Sequence, residues 1–255
     1  MINFAIETAH EAGKLLVQKL GVAKVSTKGD INLVTEADIA AENLIIDRIR
    51  SYYPQHGILA EESGEAVLVG RRSEWKWIID PLDGTTNYAH GYPCFCVSIA
   101  LEYKGVLEVG VVYDPMRDEM FAAERGQGAT LNDRKIRVSD VEQLSGAMLC
   151  TGFPYNVRER PDFAREFAKF TLHAQAVRRD GSAALDLAYV ACGRFDGFWE
   201  DGLHPWDVAA GALLIFEARG KVTNFKDEPL DIYNEQVLAS NGLIHEAMMR
   251  VLASK

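Results

Sequence analysis

Apolar residues near the amino terminus recur at steps of three and four, with charged residues between them. This spacing places them on one face of a helix and predicts an amphipathic helix over residues 2–20. A second helix is predicted from Thr35 to about Arg50, because Thr35 and Asp38 have the spacing of a capping box. Residues 26–32, between the two helices, are polar and contain a glycine, so they are expected to form a loop.

The middle of the chain alternates short apolar runs with turn residues, a pattern that predicts strands. The predicted strands cover residues 56–60, 75–80, 94–103, 106–113, 121–124 and 136–138. Because they follow one another with short turns between them, a largely antiparallel sheet is expected rather than β-α-β winding.

The second half of the chain mixes predicted helices with strands. Helices are expected over residues 161–173, 181–192 and 206–219, and a strand over 195–200. Pro205 suits the first turn of the third of these helices, and Gly220 suits its C-cap. We interpret the chain as an α+β fold with an N-terminal part (1–140) and a smaller C-terminal part (141–255) in one compact unit.

Composition and charge exclude several classes of protein. With 48% hydrophobic and 25% charged residues in 255, the chain has a globular composition rather than that of a disordered protein. The net charge of −10 leaves no basic surface for nucleic acid and opposes binding to an anionic membrane. An acidic protein can still bind an anionic substrate when metal cations lie between them.

The four cysteines favour a reduced, cytoplasmic protein. None belongs to a C-x-x-C pair, and no histidine lies at zinc-finger spacing from them. Cys94 and Cys96 would share one face of a strand, where two buried thiols or a chelating pair are both possible, and free cysteines usually pack as small apolar side chains. Charged residues interrupt any signal-peptide core, and no apolar run has the length of a membrane span.

Common catalytic signatures are absent from the sequence. It contains no phosphate-binding G-x-x-x-x-G-K-[ST] loop, no G-x-S-x-G elbow and no H-E-x-x-H motif. Gly126-Gln127-Gly128 lacks the third glycine of a dinucleotide fingerprint. Hydrolysis by a serine nucleophile and nucleotide chemistry are therefore disfavoured, which leaves the carboxylates.

An aspartate-rich turn follows the predicted strand 75–80. Asp80 and Asp83 bracket this turn, so their side chains can converge beside the Leu82 carbonyl and supply three oxygen ligands for Mg²⁺ or Mn²⁺. The backbone N–H groups of Gly84 and Thr85 can hold a phosphate if a helix begins there. The structural alternative is a turn whose aspartates only make local hydrogen bonds.

Three further acidic positions each have a structural explanation of their own. Glu61 and Glu62 can lie in a solvated turn, since charged side chains usually face water. Asp207 suits the first turn of its predicted helix, where a negative charge is stabilised by the helix dipole. Asp38 can serve only as the capping partner of Thr35.

Taken together, these segments resemble the inositol monophosphatase family. The resemblance is carried by residues 35–38, 61–63, 80–87 and 206–211, and it extends from about Asn3 to the final helix. Residues 113–117, 125–129, 151–154 and 181–189 are similar to the bacterial branch of the family.

The resemblance implies a layered αβαβα sandwich of the sugar-phosphatase type, usually a homodimer, that hydrolyses phosphate monoesters with two or three Mg²⁺ ions, Mn²⁺ being an alternative. It implies metal ligands at Glu61, Asp80, the Leu82 carbonyl, Asp83 and Asp207, with Glu62 in support. It implies that Thr85, hydrogen-bonded to Asp38, orients or deprotonates the attacking water. Substrate contacts are implied for Gly84, Thr85, Arg178, Gly181, Ser182, Ala183, Glu200 and Asp207. Arg179 is interpreted as a surface or interface charge.

The substrate implied by the resemblance is inositol 1-phosphate, a small molecule. Fructose-1,6-bisphosphatase and histidinol-phosphatase activities are alternatives, because those enzymes share the same metal motifs. A regulatory partner of the transcription machinery is an alternative of another class. That role needs no metal ligands, whereas the chain has every expected one, and the net charge of −10 argues against direct RNA binding.

Overall fold

The computed structural model describes residues 1–28, 32–66, 73–153 and 162–254. Helices α1 (Ile2–Lys19) and α2 (Glu36–Tyr52) form as predicted. Thr35 caps α2, and the side chain of Asp38 accepts a hydrogen bond from the Thr35 N–H in return, which confirms the capping box. The loop expected over 26–32 is wrong in part. Strands β1 (Val25–Lys28) and β2 (Asn32–Thr35) pair there as an antiparallel hairpin, while residues 29–31 lie outside the described chain.

The N-terminal sheet has eight strands in the order β10-β9-β8-β7-β6-β5-β3-β4. Its strands are β3 (Gly57–Ala60), β4 (Gly64–Ala66), β5 (Trp75–Asp83), β6 (Cys96–Tyr103), β7 (Val106–Asp114), β8 (Glu119–Glu124), β9 (Gly128–Leu131) and β10 (Arg134–Lys135). All neighbours are antiparallel except β3 and β5, as expected from the short connections. The strand expected over 136–138 is wrong, since pairing ends at Lys135.

The C-terminal sheet is mixed, with the order β12-β11-β13-β15-β14. Its strands are β11 (Met148–Thr151), β12 (Ala176–Arg178), β13 (Gly197–Asp201), β14 (Lys221–Thr223) and β15 (Gln236–Ser240). The remaining helices are α3 (Thr85–Ala89), α4 (Asp162–His173), α5 (Ala183–Ala191), α6 (Pro205–Glu217) and α7 (His245–Ala253). Pro161, the predicted start of α4, lies outside the described residues.

Helices α5 and α6 lie between the two sheets and share one apolar core with both. That core includes Phe121 from the first sheet and Phe198 from the second. The approach is close at Gly110, where an added Cβ would lie 2.7 Å from the Ala210 carbonyl oxygen in α6. Helices α1 and α2 cover the other face of the first sheet, and α4 and α7 cover the second. The expected layered αβαβα sandwich is confirmed.

The ends of α6 show how far local rules reach. Pro205 is its first residue, as predicted. The left-handed residue beyond its C-terminus is Arg219, with φ of 70°, and not the predicted Gly220. Gly220 is needed for space instead, because an added Cβ would lie 2.7 Å from the Ser240 carbonyl oxygen.

In the part of the chain described, no helix combines the length and apolarity needed to cross a membrane.

Candidate active site

The candidate site is built on the end of β5, where the strand runs into α3. The β5–β6 register shifts between Asp80 and Asp83, a local irregularity that changes the direction of the side chains. Asp80 Oδ1 accepts a hydrogen bond from the Leu82 N–H at 2.9 Å. Gly84 follows with φ of 99°, and an added Cβ would lie 2.9 Å from the Cys94 carbonyl oxygen. Only glycine suits this turn, which starts α3 at Thr85.

A third aspartate reaches this turn from the C-terminal half of the chain. Asp207 lies in the first turn of α6, and its Oδ2 accepts a hydrogen bond from the His204 N–H at 2.7 Å. One carboxylate oxygen from each of Asp80, Asp83 and Asp207 lies within 4.8 Å of the other two. The two halves of the chain therefore complete the cluster together.

Glu61 lies beside this cluster because β3, which precedes it, runs parallel to β5. Parallel neighbours end at the same edge of a sheet. Glu61 lines the same pocket as the three aspartates. The backbone N–H of the next residue, Glu62, donates to Glu42 Oε2 at 2.9 Å, which anchors this turn to α2.

Burial is the main influence on the charges of these acids. It raises the pKa of Glu61 and Asp80 well above their ordinary values, and the neighbouring carboxylates raise both further. Burial and then the charge of Asp83 raise the pKa of Asp207 to about 7. Such a cluster retains protons unless cations balance its charge. The cluster of three aspartates offers hard oxygen donors only, a set that fits Mg²⁺ or Mn²⁺ better than zinc.

Thr85 and Asp38 form a buried hydrogen-bonded pair next to the cluster. Thr85 Oγ1 lies 3.0 Å from Asp38 Oδ1 and 3.1 Å from the Leu82 carbonyl oxygen. Asp38 Oδ2 is occupied separately, by the Thr35 N–H at 2.8 Å and the Thr35 hydroxyl at 2.5 Å. Burial raises the pKa of Asp38, while its hydrogen bonds to Thr35 and Thr85 lower it. The carboxylate thus caps α2 with one oxygen and holds Thr85 with the other.

Beyond the acidic cluster, the pocket is lined by further residues of the C-terminal half. These are Gly152, Phe153, Arg179, Gly181, Ser182, Ala183, Asp186, Glu200, Gly202, Leu203, His204 and Trp206. The Glu200 carboxyl is buried, and burial followed by the charge of Asp207 raises its pKa to about 8. Gly152 packs directly on this carboxyl, where any side chain would collide with it.

The structure brings most of the predicted site residues to one pocket. Glu61, Asp80, Leu82, Asp83, Gly84, Thr85, Gly181, Ser182, Ala183, Glu200 and Asp207 all line it, and Asp38 contacts it through Thr85. Arg178 does not line it: this side chain is exposed at the end of β12. Arg179, interpreted from the sequence as a surface or interface charge, is exposed as well, and it also lines the pocket, with its guanidinium 5.3 Å from the centre of the Phe153 ring.

Other pocket residues were not singled out from the sequence. His204 and Trp206 are close in sequence to Asp207, and Trp206 lies in the segment 206–211 that carries the family resemblance. This closeness to a predicted metal ligand could have identified them as pocket residues. Gly152 and Phe153 lie in a stretch that resembles the bacterial branch without suggesting a role. Asp186 also lies in such a stretch, residues 181–189, where it was interpreted only as one polar position in a predicted helix.

Comparisons with known proteins agree with this geometry. The sequence profile of the inositol monophosphatase family matches residues 1–255. The inositol-1-monophosphatase of Synechocystis sp. is 46% identical over 99% of this chain and 88% of that protein. The protein named Nus factor SuhB of Escherichia coli (strain K12) is 47% identical over 98% of this chain and 94% of its own length. The solved structure of an inositol monophosphatase from Anabaena has a TM-score of 0.90 and 51% identity, covering 98% of this chain and 94% of that one.

Proposed function

The chain belongs to the inositol monophosphatase family, and we propose that its pocket hydrolyses inositol 1-phosphate to inositol and phosphate with the help of Mg²⁺. Phosphate monoester hydrolysis that depends on a metal is the activity of this family. The observation that carries the proposal is the convergence of Asp80, Asp83 and Asp207 within 4.8 Å beside a threonine paired with a buried aspartate.

We assign the metal ligands to Glu61, Asp80, the Leu82 carbonyl, Asp83 and Asp207. Divalent cations held there would neutralise the phosphate, lower the pKa of the attacking water and stabilise the leaving oxygen. Besides burial, the charges of Glu61, Asp83 and Asp207 all raise the pKa of Asp80, so Asp80 suits a ligand shared by two ions. The raised pKa values of these acids are consistent with a site that exchanges its protons for cations.

Thr85 and Asp38 are proposed to orient and deprotonate the attacking water. The Thr85 hydroxyl donates to Asp38, so its lone pairs are left to accept a hydrogen bond from a water in the pocket. A proton taken from that water can pass through Thr85 to Asp38, whose pKa burial raises towards that of a useful base. The N–H groups of Gly84 and Thr85, at the start of α3, are proposed to hold the phosphate oxygens.

The substrate side is proposed to recognise the leaving group. The Glu200 carboxyl lines the pocket, where it can accept hydrogen bonds from ring hydroxyls, and Asp207 can reach a hydroxyl as well. Gly181 and Ala183 are proposed to bound the ring. Because Arg179 lines the pocket and Arg178 does not, we propose Arg179 as the basic residue on this side. The active protein is proposed to be a homodimer.

A phosphate-release panel tests the proposal. Purified protein is assayed with inositol 1-phosphate, fructose 1,6-bisphosphate and histidinol phosphate, each with Mg²⁺ and with chelator. We expect Mg²⁺-dependent release with the highest kcat/KM on inositol 1-phosphate. A preference for one of the other two substrates would reassign the substrate, and an absence of release from all three would refute phosphatase function.

A second candidate function rests on the relatives named Nus factor SuhB. We propose that the chain also contacts the transcription machinery, through a surface that does not depend on catalysis. Binding to purified RNA polymerase, measured by gel filtration, should then be unchanged in the Asp80→Asn variant. An absence of binding by the unmodified protein would reject this second role.

A further inference from the structure

The two oxygens of the Asp83 carboxylate have different surroundings. Oδ2 accepts a hydrogen bond from the Ser182 hydroxyl at 2.6 Å and another from the Ala184 N–H at 2.7 Å. The Cys96 thiol is a weaker third neighbour of the same oxygen at 3.7 Å. Oδ2 is therefore fully used by the protein, which leaves Oδ1 as the oxygen available to a cation.

Both strong donors come from the start of α5, in the other half of the chain. Ser182 immediately precedes the helix, and Ala184 lies in its first turn. N–H groups of a first helical turn have no partner within the helix and favour a negative charge nearby. The carboxylate of Asp83 satisfies the Ala184 N–H in this way, so α5 holds one of the three converging aspartates.

The segment that carries Ser182 is itself tied to the metal-binding turn. The side-chain amide of Asn87, in α3, donates to the carbonyl oxygen of Asp180 at 2.8 Å, and Gly181 O lies 3.3 Å from the same nitrogen. That nitrogen also contacts the Cys94 carbonyl oxygen at 2.7 Å. The segment that leads into Ser182 is thus anchored to α3, which directly follows the turn that carries Asp83.

Ser182 is poorly placed to bind a substrate. Ser182 is only 1% exposed. Its one hydroxyl proton is directed to Asp83 Oδ2, because an ionised carboxylate can only accept. A ring hydroxyl would have to reach the remaining lone pairs of a buried oxygen.

We propose that Ser182 is a positioning residue for the metal site: its hydroxyl orients the Asp83 carboxylate so that one oxygen faces the cation, and it makes no contact with substrate. The proposal rests on the assignment of Asp83 as a metal ligand and replaces the substrate contact that the family resemblance implies for Ser182. Partners that orient a metal ligand typically change metal affinity by 10- to 100-fold when they are removed.

Direct titration with Mn²⁺ in the absence of substrate tests this role. We expect Ser182→Ala to bind Mn²⁺ roughly 10- to 100-fold more weakly than the unmodified protein. Ser182→Thr, which keeps the hydroxyl, should restore the affinity. At saturating metal, the KM of Ser182→Ala for inositol 1-phosphate should stay unchanged. The matched control is Ser240→Ala, which also deletes a buried hydroxyl with two hydrogen-bond partners, at a place remote from the pocket; its Mn²⁺ affinity should not change.

The outcomes separate this proposal from the proposed function. If the unmodified protein fails to bind Mn²⁺, the metal assignment itself is wrong. If it binds but Ser182→Ala binds equally well, or if Ser182→Ala raises only the KM, the positioning role is overturned. Should Ser182→Ala melt too low for titration, Ser182→Cys supplies the same comparison, because a thiol is a weak donor.

Discussion

Asp38 caps α2 with one carboxylate oxygen and holds Thr85 with the other. Replacing it with asparagine separates these two roles. The Thr35 N–H can only donate, so the asparagine oxygen must take the place of Oδ2. Its NH₂ group then faces Thr85, where it donates to the hydroxyl oxygen. Thr85 can turn its own proton to the Leu82 carbonyl oxygen, which already lies 3.1 Å away. Every hydrogen bond has a replacement, but Thr85 loses its proton acceptor.

The expected magnitudes follow from this rearrangement. The helix cap is kept and a buried charge is removed, so the free energy of unfolding should change by no more than about 1 kcal/mol. Loss of a general base typically lowers the rate by 10²-fold or more, equivalent to about 2.7 kcal/mol of activation free energy. Asp38→Asn should therefore have a nearly normal Tm and a kcat reduced by about 10²-fold or more.

The assay is phosphate release at saturating Mg²⁺, with thermal melting of the same samples. Glu36→Gln is the matched control, because it removes the same charge from the first turn of the same helix at an exposed position. It should leave kcat unchanged. The reasoning is refuted if Asp38→Asn retains kcat within about threefold of the control, or if its loss of activity is matched by a collapse in Tm.

Three further predictions concern the metal site, the substrate side and a buried histidine. Asp80→Asn should abolish phosphate release at any Mg²⁺ concentration, and near-normal turnover would disprove the shared-ligand assignment. Glu200→Gln should lower kcat/KM for inositol 1-phosphate about 10- to 100-fold but spare p-nitrophenyl phosphate, which has no ring hydroxyl to bind; equal losses on both substrates would reject a role in recognition. Burial, and then the charge of Lys221, lowers the pKa of His245 from 6.5 to about 4, so the unfolded chain takes up this proton first and the contribution of His245 to stability is lost as the pH drops through that window. Between pH 7 and pH 5 this contribution should fall by about 2 kcal/mol, measured by urea denaturation as the change in the unfolding free energy of the unmodified protein relative to His245→Gln, because the buried carboxyls titrate in both. Equal pH dependence in the two proteins would contradict this.

Helices were predicted well where they depend on residues close together in the sequence. The helices at 2–19 and 36–52 follow from apolar periodicity and from a cap formed within four residues, and Pro205 starts α6 for a reason of its own geometry. Strands whose partners lie far along the chain were harder to predict. β11 was not predicted, and it is a strand because the distant β12 and β13 offer backbone hydrogen bonds on both sides.

The acidic residues of the site were identifiable from the sequence, but their separate roles were not. Asp83 and Ser182 lie 99 positions apart, and no local pattern indicates that one hydroxyl would occupy one carboxylate oxygen. Arg178 and Arg179 are adjacent, and only the path of the chain between β12 and α5 decides which of them lines the pocket.

The sequence by itself determined the family resemblance, the helical caps and periodicity, and the set of oxygen donors, because these depend on residue type and short-range spacing. The tertiary structure decided which donors meet, since Asp207 and Ser182 reach the β5 turn only when α5 and α6 pack between the two sheets. It also decided the protonation of the acids. A pKa depends on burial and on neighbouring charges, and both are products of long-range packing.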